Sequence, residues 1–121
     1  MEYALFIHES PDDIARRDGD DAPAYWAGWQ AYTHALREAG VLIDGRALEA
    51  GHAATTIGGT GAARTIHDGP FADARETLGG YYVLRVASLD EALAWADRCP
   101  GAARGRIELR PVRSMPDGRA R

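Results

Sequence analysis

Residues 79–99, GGYYVLRVASLDEALAWADRC, join the most strand-like run of the chain to a helix. The run YYVLRV holds aromatic and β-branched residues, which favour extended backbone. Ser88 and Glu91 have the three-residue spacing of a capping box, so the pattern predicts that a helix begins at this point. Four apolar residues at helical spacing form its expected buried stripe: Leu89, Ala92, Leu93 and Ala96.

Another strand and helix are predicted near the N-terminus. Residues 2–8, EYALFIH, alternate, so Phe6 and His8 should lie on the strand face opposite Leu5. After the polar loop ESPDDIARRDGDD, Asp21 is the expected N-cap of the helix, and Pro23 suits its first turn. The apolar stripe of this helix, and the glycine that ends it, are Tyr25, Trp29, Tyr32, Leu36 and Gly40.

The remaining segments complete an α+β fold. VLIDGRALEA reads as extended, AATTIG and ARTIHD form a hairpin around GGTG, and RGRIELRPV is the last strand. Because the order is strand, helix, several strands, helix, strand, we expect a ferredoxin-like antiparallel sheet with both helices on one face. The chain should form a single domain over residues 1–113, and residues 114–121 should form a flexible C-terminal tail.

The sheet face without helices predicts a homodimer. The predicted strands place Tyr81, Val83 and Arg85 on that face, with Glu108 and Arg110 from the last strand. This mixture is too apolar for full exposure and too polar for a dry core. Packing against the same face of a second copy would cover it and leave a partly polar cavity.

Composition excludes several classes of function. The chain of 121 residues has net charge -4, which argues against a nucleic-acid partner. No apolar run approaches the ~20 residues needed to cross a membrane, so we expect a cytoplasmic protein. A single cysteine, Cys99, and four histidines without ligand spacing predict no metal site and no cofactor.

The stretch HDGPFADARETLGG at residues 67–80 is interpreted as a corner before the central strand. Asp68 should cap backbone N–H groups or form an Asx turn, Pro70 should start a helical turn, and Phe71 should anchor that turn in the core. The alternative is that Asp68, or Glu76 behind it, faces a pocket and moves protons.

With the helix and strand that follow, this stretch resembles the DGPF-domain branch of the YCII-related family. The tetrapeptide stands at 68–71, and the other motif residues are Asp73, Arg75, Glu76, Gly79 and Gly80. The resemblance implies a dimeric α/β barrel, made by two ferredoxin-like subunits packed sheet to sheet. Relatives include chlorinated muconolactone dehalogenases, and some occur beside, or fused to, extracytoplasmic-function sigma factors.

One departure from the family pattern concerns catalysis. Smaller YCII proteins carry a histidine in the first helix with a proposed partner aspartate. The matching place in this chain is near Trp29 and Gln30, where no histidine stands. Asp44 matches the partner aspartate only loosely. The resemblance therefore carries no His–Asp mechanism over to this sequence.

The candidate site residues follow from the helix-free face and the DGPF corner. His8 and Asp68 are the candidate catalytic residues. Arg85 should either pair with Glu108 or hold a substrate carboxylate. The candidate substrate-binding residues are Tyr81, Arg85, Glu76 and Arg110.

Two functions stay open at this level, and the sequence does not decide whether the chain is an enzyme. The first is cofactor-independent acid–base or lyase-type chemistry on a small organic acid in a dimer cavity. The second is a non-catalytic module that binds a small ligand or a partner and is linked to sigma-factor-dependent transcription.

Overall fold

The computed structural model describes residues 1–72 and 75–116; the motif residue Asp73 and positions 117–121 of the predicted tail lie outside them. The strands are β1 (Glu2–Glu9), β2 (Leu42–Ala47), β3 (Thr55–Gly58), β4 (Thr65–Asp68), β5 (Thr77–Arg85) and β6 (Arg106–Pro111). The helices are α1 (Pro11–Ala15), α2 (Ala22–Glu38) and α3 (Leu89–Asp97). Two short 3-10 turns span Gly51–Ala53 and Gly61–Ala63.

The main sheet has four strands in the order β2-β5-β1-β6, and all neighbouring strands are antiparallel. Side chains of α2 and α3 join one core with one face of this sheet, so both helices cover the same face. This is the ferredoxin-like arrangement predicted from the sequence. The sheet of the single chain is open and does not close into a barrel.

Alternation along β1 decides which residues form the core. Tyr3, Leu5 and Ile7 are buried under the helices, and the alternate residues are only half-buried on the other face. Leu5, Leu36 and Leu84 are fully buried. Each such side chain contributes about 1.5–3 kcal/mol through removal from water.

The start of α2 differs from the prediction at its cap. Asp21 precedes the helix, but its side chain makes no capping hydrogen bond. Arg16 Nε instead donates to Asp21 Oδ2 at 2.5 Å, which orients the carboxylate toward the preceding loop. Pro23 lies in the first turn as predicted, and Gly40 follows the helix with a φ of 73°.

The Ser88 N-cap of α3 is confirmed, but the Glu91 carboxylate accepts from the Ala87 N–H at 3.2 Å and not from Ser88, so the capping box is incomplete. Ser88 Oγ accepts a hydrogen bond from the Glu91 N–H at 3.2 Å. Half of the predicted apolar stripe is wrong. Ala92 and Ala96 are buried, whereas Leu89 and Leu93 are each 49% exposed. The buried positions are 92, 96 and 99, with Trp95 half-buried beside them, so the small alanines bring the helix close to the sheet.

The segment before β5 is a hairpin followed by a corner without an apolar anchor. β3 and β4 pair as predicted and form a separate two-stranded sheet. Gly69, with φ 113°, turns the chain, and its N–H donates to the Ala54 carbonyl at 2.7 Å. Phe71 is 91% exposed, so the prediction that it anchors the corner in the core is wrong. The Gly69–Ala54 backbone hydrogen bond and a hydrogen bond from the Thr56 hydroxyl to the Gly69 carbonyl at 2.7 Å hold this turn.

Candidate functional site

A cavity of about 220 Å³ lies between α2 and the sheet, and we call it the α2 cavity. Its walls come from the first half of α2, the ends of β1 and β2, and the start of β5. Tyr25, Trp26, Trp29 and Tyr82 make much of the lining aromatic. Cavities that are mostly apolar, with a few convergent polar groups, are typical of small-molecule sites.

Glu9 supplies the carboxylate of the α2 cavity. It is the last residue of β1 and continues the inward alternation, so its side chain lies on the helix-covered face, and the residue as a whole is 2% exposed. Its Oε1 and Oε2 accept hydrogen bonds from the Tyr25 hydroxyl at 3.0 and 2.8 Å. A buried carboxylate is tolerated only with such partners.

Arg17 provides the opposite charge. Its Nη2 lies 3.1 Å from Glu9 Oε1 and donates to the Gly79 carbonyl at 2.9 Å, while Nη1 donates to the Leu48 carbonyl. The guanidinium therefore ties the loop after α1 to β1, to the end of β2 and to β5. This network explains why the polar segment between β1 and α2 packs against the domain.

Tyr25 completes the Glu9–Arg17–Tyr25 cluster. Its hydroxyl accepts from Arg17 Nε at 3.1 Å and donates to Glu9. Burial, reinforced by the Glu9 carboxylate, raises the pKa of Tyr25 to about 12. The phenol therefore stays protonated at neutral pH and can donate a hydrogen bond at the cavity wall.

Two glycines make room for this arrangement. A Cβ on Gly79 would lie 2.4 Å from Glu9 Oε1 and 3.0 Å from Arg17 Nη2, so a side chain there would displace the ion pair. A Cβ on Gly45 would lie 2.5 Å from the Tyr82 ring. Gly79 and Gly45 thus allow close packing at the site.

The α2 cavity has a second polar group away from the charged cluster. Thr33 lies eight residues after Tyr25 on α2, about 12 Å farther along the helix axis. Its hydroxyl is 2.5 Å from the Tyr82 hydroxyl, and both residues line the cavity. Polar groups therefore flank an aromatic middle that includes Trp29.

The predicted site residues lie elsewhere. None of His8, Asp68, Glu76, Tyr81, Arg85 and Arg110 lines the α2 cavity. Asp68 is exposed as the last residue of β4. Tyr81 contacts Asp44 at 3.4 Å on the helix-free face, so Asp44 points away from the α2 cavity.

The structure brings some of them together on the helix-free face. His8 Nε2 and Glu108 Oε1 are 3.1 Å apart, and Arg110 Nη2 donates to Glu108 Oε2 at 2.7 Å. Arg110 and His8 lower the pKa of Glu108. The predicted Arg85–Glu108 pair is wrong, because Arg85 is opposite Glu2 in the register of β1 and β5 and binds it at 3.1 Å.

His8 and Glu76 also line an open depression of about 530 Å³, which we call the basic depression. Its other lining residues are Ser10, Arg75, Arg104, Arg106 and Glu108. It lies where β1 ends and β6 begins.

Glu9 and Arg17 were missed because the sequence between 9 and 21 reads as a polar surface loop. A signal was present, since Glu9 extends the alternation Tyr3, Leu5, Ile7 by one further step. Tyr25 had been placed in the stripe of α2, and nothing in that stripe marks its hydroxyl as a partner of Glu9.

Two absences concern only residues 1–72 and 75–116. Within them, no group of three or more His, Cys, Asp or Glu side chains could hold a metal ion. No helix there is long and apolar enough to cross a bilayer. Cys99, the one cysteine, is buried in the core, and burial raises the pKa of its thiol to about 12.

An open antiparallel sheet with α2 and α3 on one face defines a ferredoxin-like α+β domain, and in this chain a cavity lies under α2. The sequence profile of the YCII-related domain matches residues 1–116, and the chain belongs to the YCII-related family.

The chain is also similar to two other proteins. An uncharacterised protein from Rhizobium meliloti (strain 1021) is 39% identical over 77 residues, and the match spans 62% of each chain. The 5-chloro-2-hydroxyhydroquinone dehydrochlorinase from Burkholderia phenoliruptrix AC1100, solved in complex with 2,5-dihydroxybenzoquinone, has a similar structure. The TM-score is 0.57 at 16% identity, with 98% of this chain and 99% of that chain covered. That likeness shows the fold alone.

Proposed function

We propose that this YCII-related protein binds a small, flat, monocyclic organic molecule in the α2 cavity and transfers a proton from it without a cofactor. The observation that carries the proposal is Glu9, a carboxylate that is 2% exposed at the wall of an aromatic cavity. A carboxylate in such a place is suited to general acid–base work.

Size limits the ligand. The α2 cavity measures about 220 Å³. That volume exceeds the ~150 Å³ of a cavity that accepts benzene and falls below the ~300 Å³ at which sites for drug-sized ligands begin. A substituted six-membered ring fits, and the aromatic side chains offer it stacking faces. Its polar substituents would meet Glu9 at one end and Thr33 at the other.

The proton step uses the cluster as it stands. Among the described residues, the Tyr25 hydroxyl is the one hydrogen-bond partner of Glu9 Oε2, which leaves a lone pair for a proton from an O–H or C–H of the ligand. The electron pair stays on the ligand as an oxyanion or enolate. Arg17 lies 3.1 Å from Glu9 Oε1 and, with the Tyr25 hydroxyl, stabilises the negative charge that the step leaves on the ligand.

The experiment is a thermal-shift screen of monocyclic phenols and carboxylic acids, followed by absorbance assays for turnover of the hits. A hit should raise Tm in the wild type and in His34→Gln, which changes an exposed residue on the outer side of α2. Trp29→Ala should lose the shift, and Glu9→Gln should bind but not turn over. Retained turnover in a folded Glu9→Gln protein would refute the proton-transfer role.

Tyr25→Phe is a second test for the case in which Glu9→Gln does not fold, because it keeps both charges of the cluster. It should lower turnover by at least about tenfold. Ligand binding without turnover in the wild type would favour the other function expected from the sequence, a non-catalytic ligand-binding module linked to a sigma factor.

We also propose membership of the DGPF branch and a homodimer formed through the helix-free face. The motif residues at 68–71 support the first proposal. The second is supported by the half-buried Phe6, Tyr81 and Val83, and by Glu2 Oε1, which is buried without a hydrogen-bond partner among the described residues. A dimer mass by light scattering at micromolar concentration, lost in Tyr81→Glu, is the expected result; a monomeric wild type would exclude the dimer.

A further inference from the structure

The basic depression lies at one end of the sheet, where β1 ends and β5 and β6 begin, and its chemistry differs from that of the α2 cavity. Three arginines and two glutamates line it, which gives a formal charge of +1 with His8 neutral, whereas the whole chain carries -4. The charge of this surface is therefore reversed relative to the rest of the protein. A concave surface of one sign concentrates small ions of the opposite sign.

One of the two glutamates is already neutralised by its neighbours. Glu108 Oε1 contacts His8 at 3.1 Å, and its Oε2 accepts from Arg110 at 2.7 Å. Arg110 does not line the depression, so a charge from outside compensates this carboxylate. The arginines that line the depression are therefore not needed as hydrogen-bond donors to Glu108.

The arginines keep most of their donors available. Arg106 lies directly across from His8 in the β1–β6 register, and its one side-chain hydrogen bond to a described residue goes to the Gly105 carbonyl at 3.3 Å. Arg104 uses Nη1 on Asp13 at 3.0 Å. Since a guanidinium has five N–H donors, both side chains can bind further acceptors.

We propose that the basic depression is an oxyanion site that binds a carboxylate or phosphate group through Arg104 and Arg106, with Ser10 and Arg75 at its wall. Guanidinium groups match both oxyanions bidentately. The open volume of about 530 Å³ accommodates a small anion together with its remaining hydration water. The site is separate from the α2 cavity, since the two share no lining residue.

The test is a titration of the full chain with inorganic phosphate and, separately, with succinate, followed by amide NMR at constant ionic strength set with chloride. Amide signals of His8, Arg104 and Arg106 should shift and saturate. Arg106→Gln should weaken binding by about tenfold or more, because one charge-assisted contact is lost. Arg64→Gln, on the exposed hairpin, should bind like the wild type.

Arg106→Lys keeps the charge but not the fork, so it should bind more weakly than the wild type and more strongly than Arg106→Gln. This comparison also covers the case in which Arg106→Gln fails to fold. Saturation with phosphate alone would identify a phosphate site, and saturation with succinate alone a carboxylate site. Linear, unsaturable shifts, or wild-type affinity in Arg106→Gln, would overturn the proposal. Trp29→Ala should not change the anion affinity, which separates this site from the proposed function.

Discussion

His8 and Glu9 are neighbours on β1, yet they lie on opposite faces of the sheet and have different partners. Glu9 is buried beside Arg17 and Tyr25, with 3% of its side chain exposed. His8 binds Glu108 at a surface where the two side chains are 30% and 42% exposed. Burial, more than the number of ion pairs, therefore decides which charges matter for stability and for a site.

The largest expected effect comes from breaking the buried pair. Arg17→Met should lower the free energy of unfolding by about 3–5 kcal/mol, because Glu9 would remain buried without its cation. Urea denaturation at neutral pH measures this loss. The matched control is Arg110→Met on the open face, for which we expect less than about 1 kcal/mol. Equal losses in the two variants would contradict the difference between the faces.

A smaller effect should follow from filling the space that Gly79 leaves. Gly79→Ala forces Glu9 or Arg17 to move, since the new Cβ would lie 2.4 Å from Glu9 Oε1. We expect a loss of about 1–3 kcal/mol, as is typical of overpacking. Gly28→Ala on α2 would place its Cβ 4.0 Å from the Pro100 side chain, an ordinary van der Waals contact, and should stabilise the helix by about 0.5–1 kcal/mol. A neutral Gly79→Ala would show that the cluster is loosely packed.

Alkaline pH should weaken the buried side in particular. The pKa of Tyr25 is about 12 in the folded state and near 10 in the unfolded state. A raised folded pKa gives stability that is complete below about pH 10 and is lost as pH rises toward about 12. Tyr25→Phe should therefore reduce the decline of unfolding free energy above pH 10, by at most ~1.4 kcal/mol per pH unit. The buried Tyr32 and Cys99, whose pKa values are also raised, keep part of the decline. Urea denaturation midpoints measured along this pH range follow the decline in unfolding free energy. The same decline in Tyr25→Phe as in the wild type would contradict the raised pKa of Tyr25.

The smallest effect is expected at the exposed end of the helix-free face. Arg85 is 65% exposed at its side chain and pairs with Glu2 at 3.1 Å. At protein concentrations at which the chain is monomeric, Arg85→Gln should lower the free energy of unfolding by less than about 1 kcal/mol. The loss should be smaller still at high salt, because salt screens exposed charges. A larger, salt-independent loss in thermal unfolding of the monomer would contradict the exposure of the Arg85 side chain.

The fold could be predicted from the sequence because the spacing of apolar residues along a strand or helix reflects which face is buried. Alternation in residues 2–8 identified both faces of β1, and the Ser88–Glu91 spacing identified the start of α3. Phe71 was wrongly placed in the core because turn chemistry specifies a backbone corner and does not determine where the next side chain points.

The candidate site could be predicted only in part, because it depends on contacts between distant segments. Arg85 and Glu108 lie on the same face, but β1 separates their strands, and register pairs Arg85 with Glu2 instead. The Glu9–Arg17–Tyr25 cluster joins a strand end, a loop and a helix. No local pattern indicates that such residues meet.

Two-dimensional NMR of the tryptophan indole N–H groups during titration with a hit from the thermal-shift screen tests the central claim most directly. Trp26 and Trp29 line the α2 cavity, whereas Trp95 lies on α3 against Tyr32. If the ligand binds in the α2 cavity, we expect the Trp26 and Trp29 signals to shift and saturate while the Trp95 signal barely moves. Saturable binding that leaves the Trp26 and Trp29 signals unchanged would contradict it.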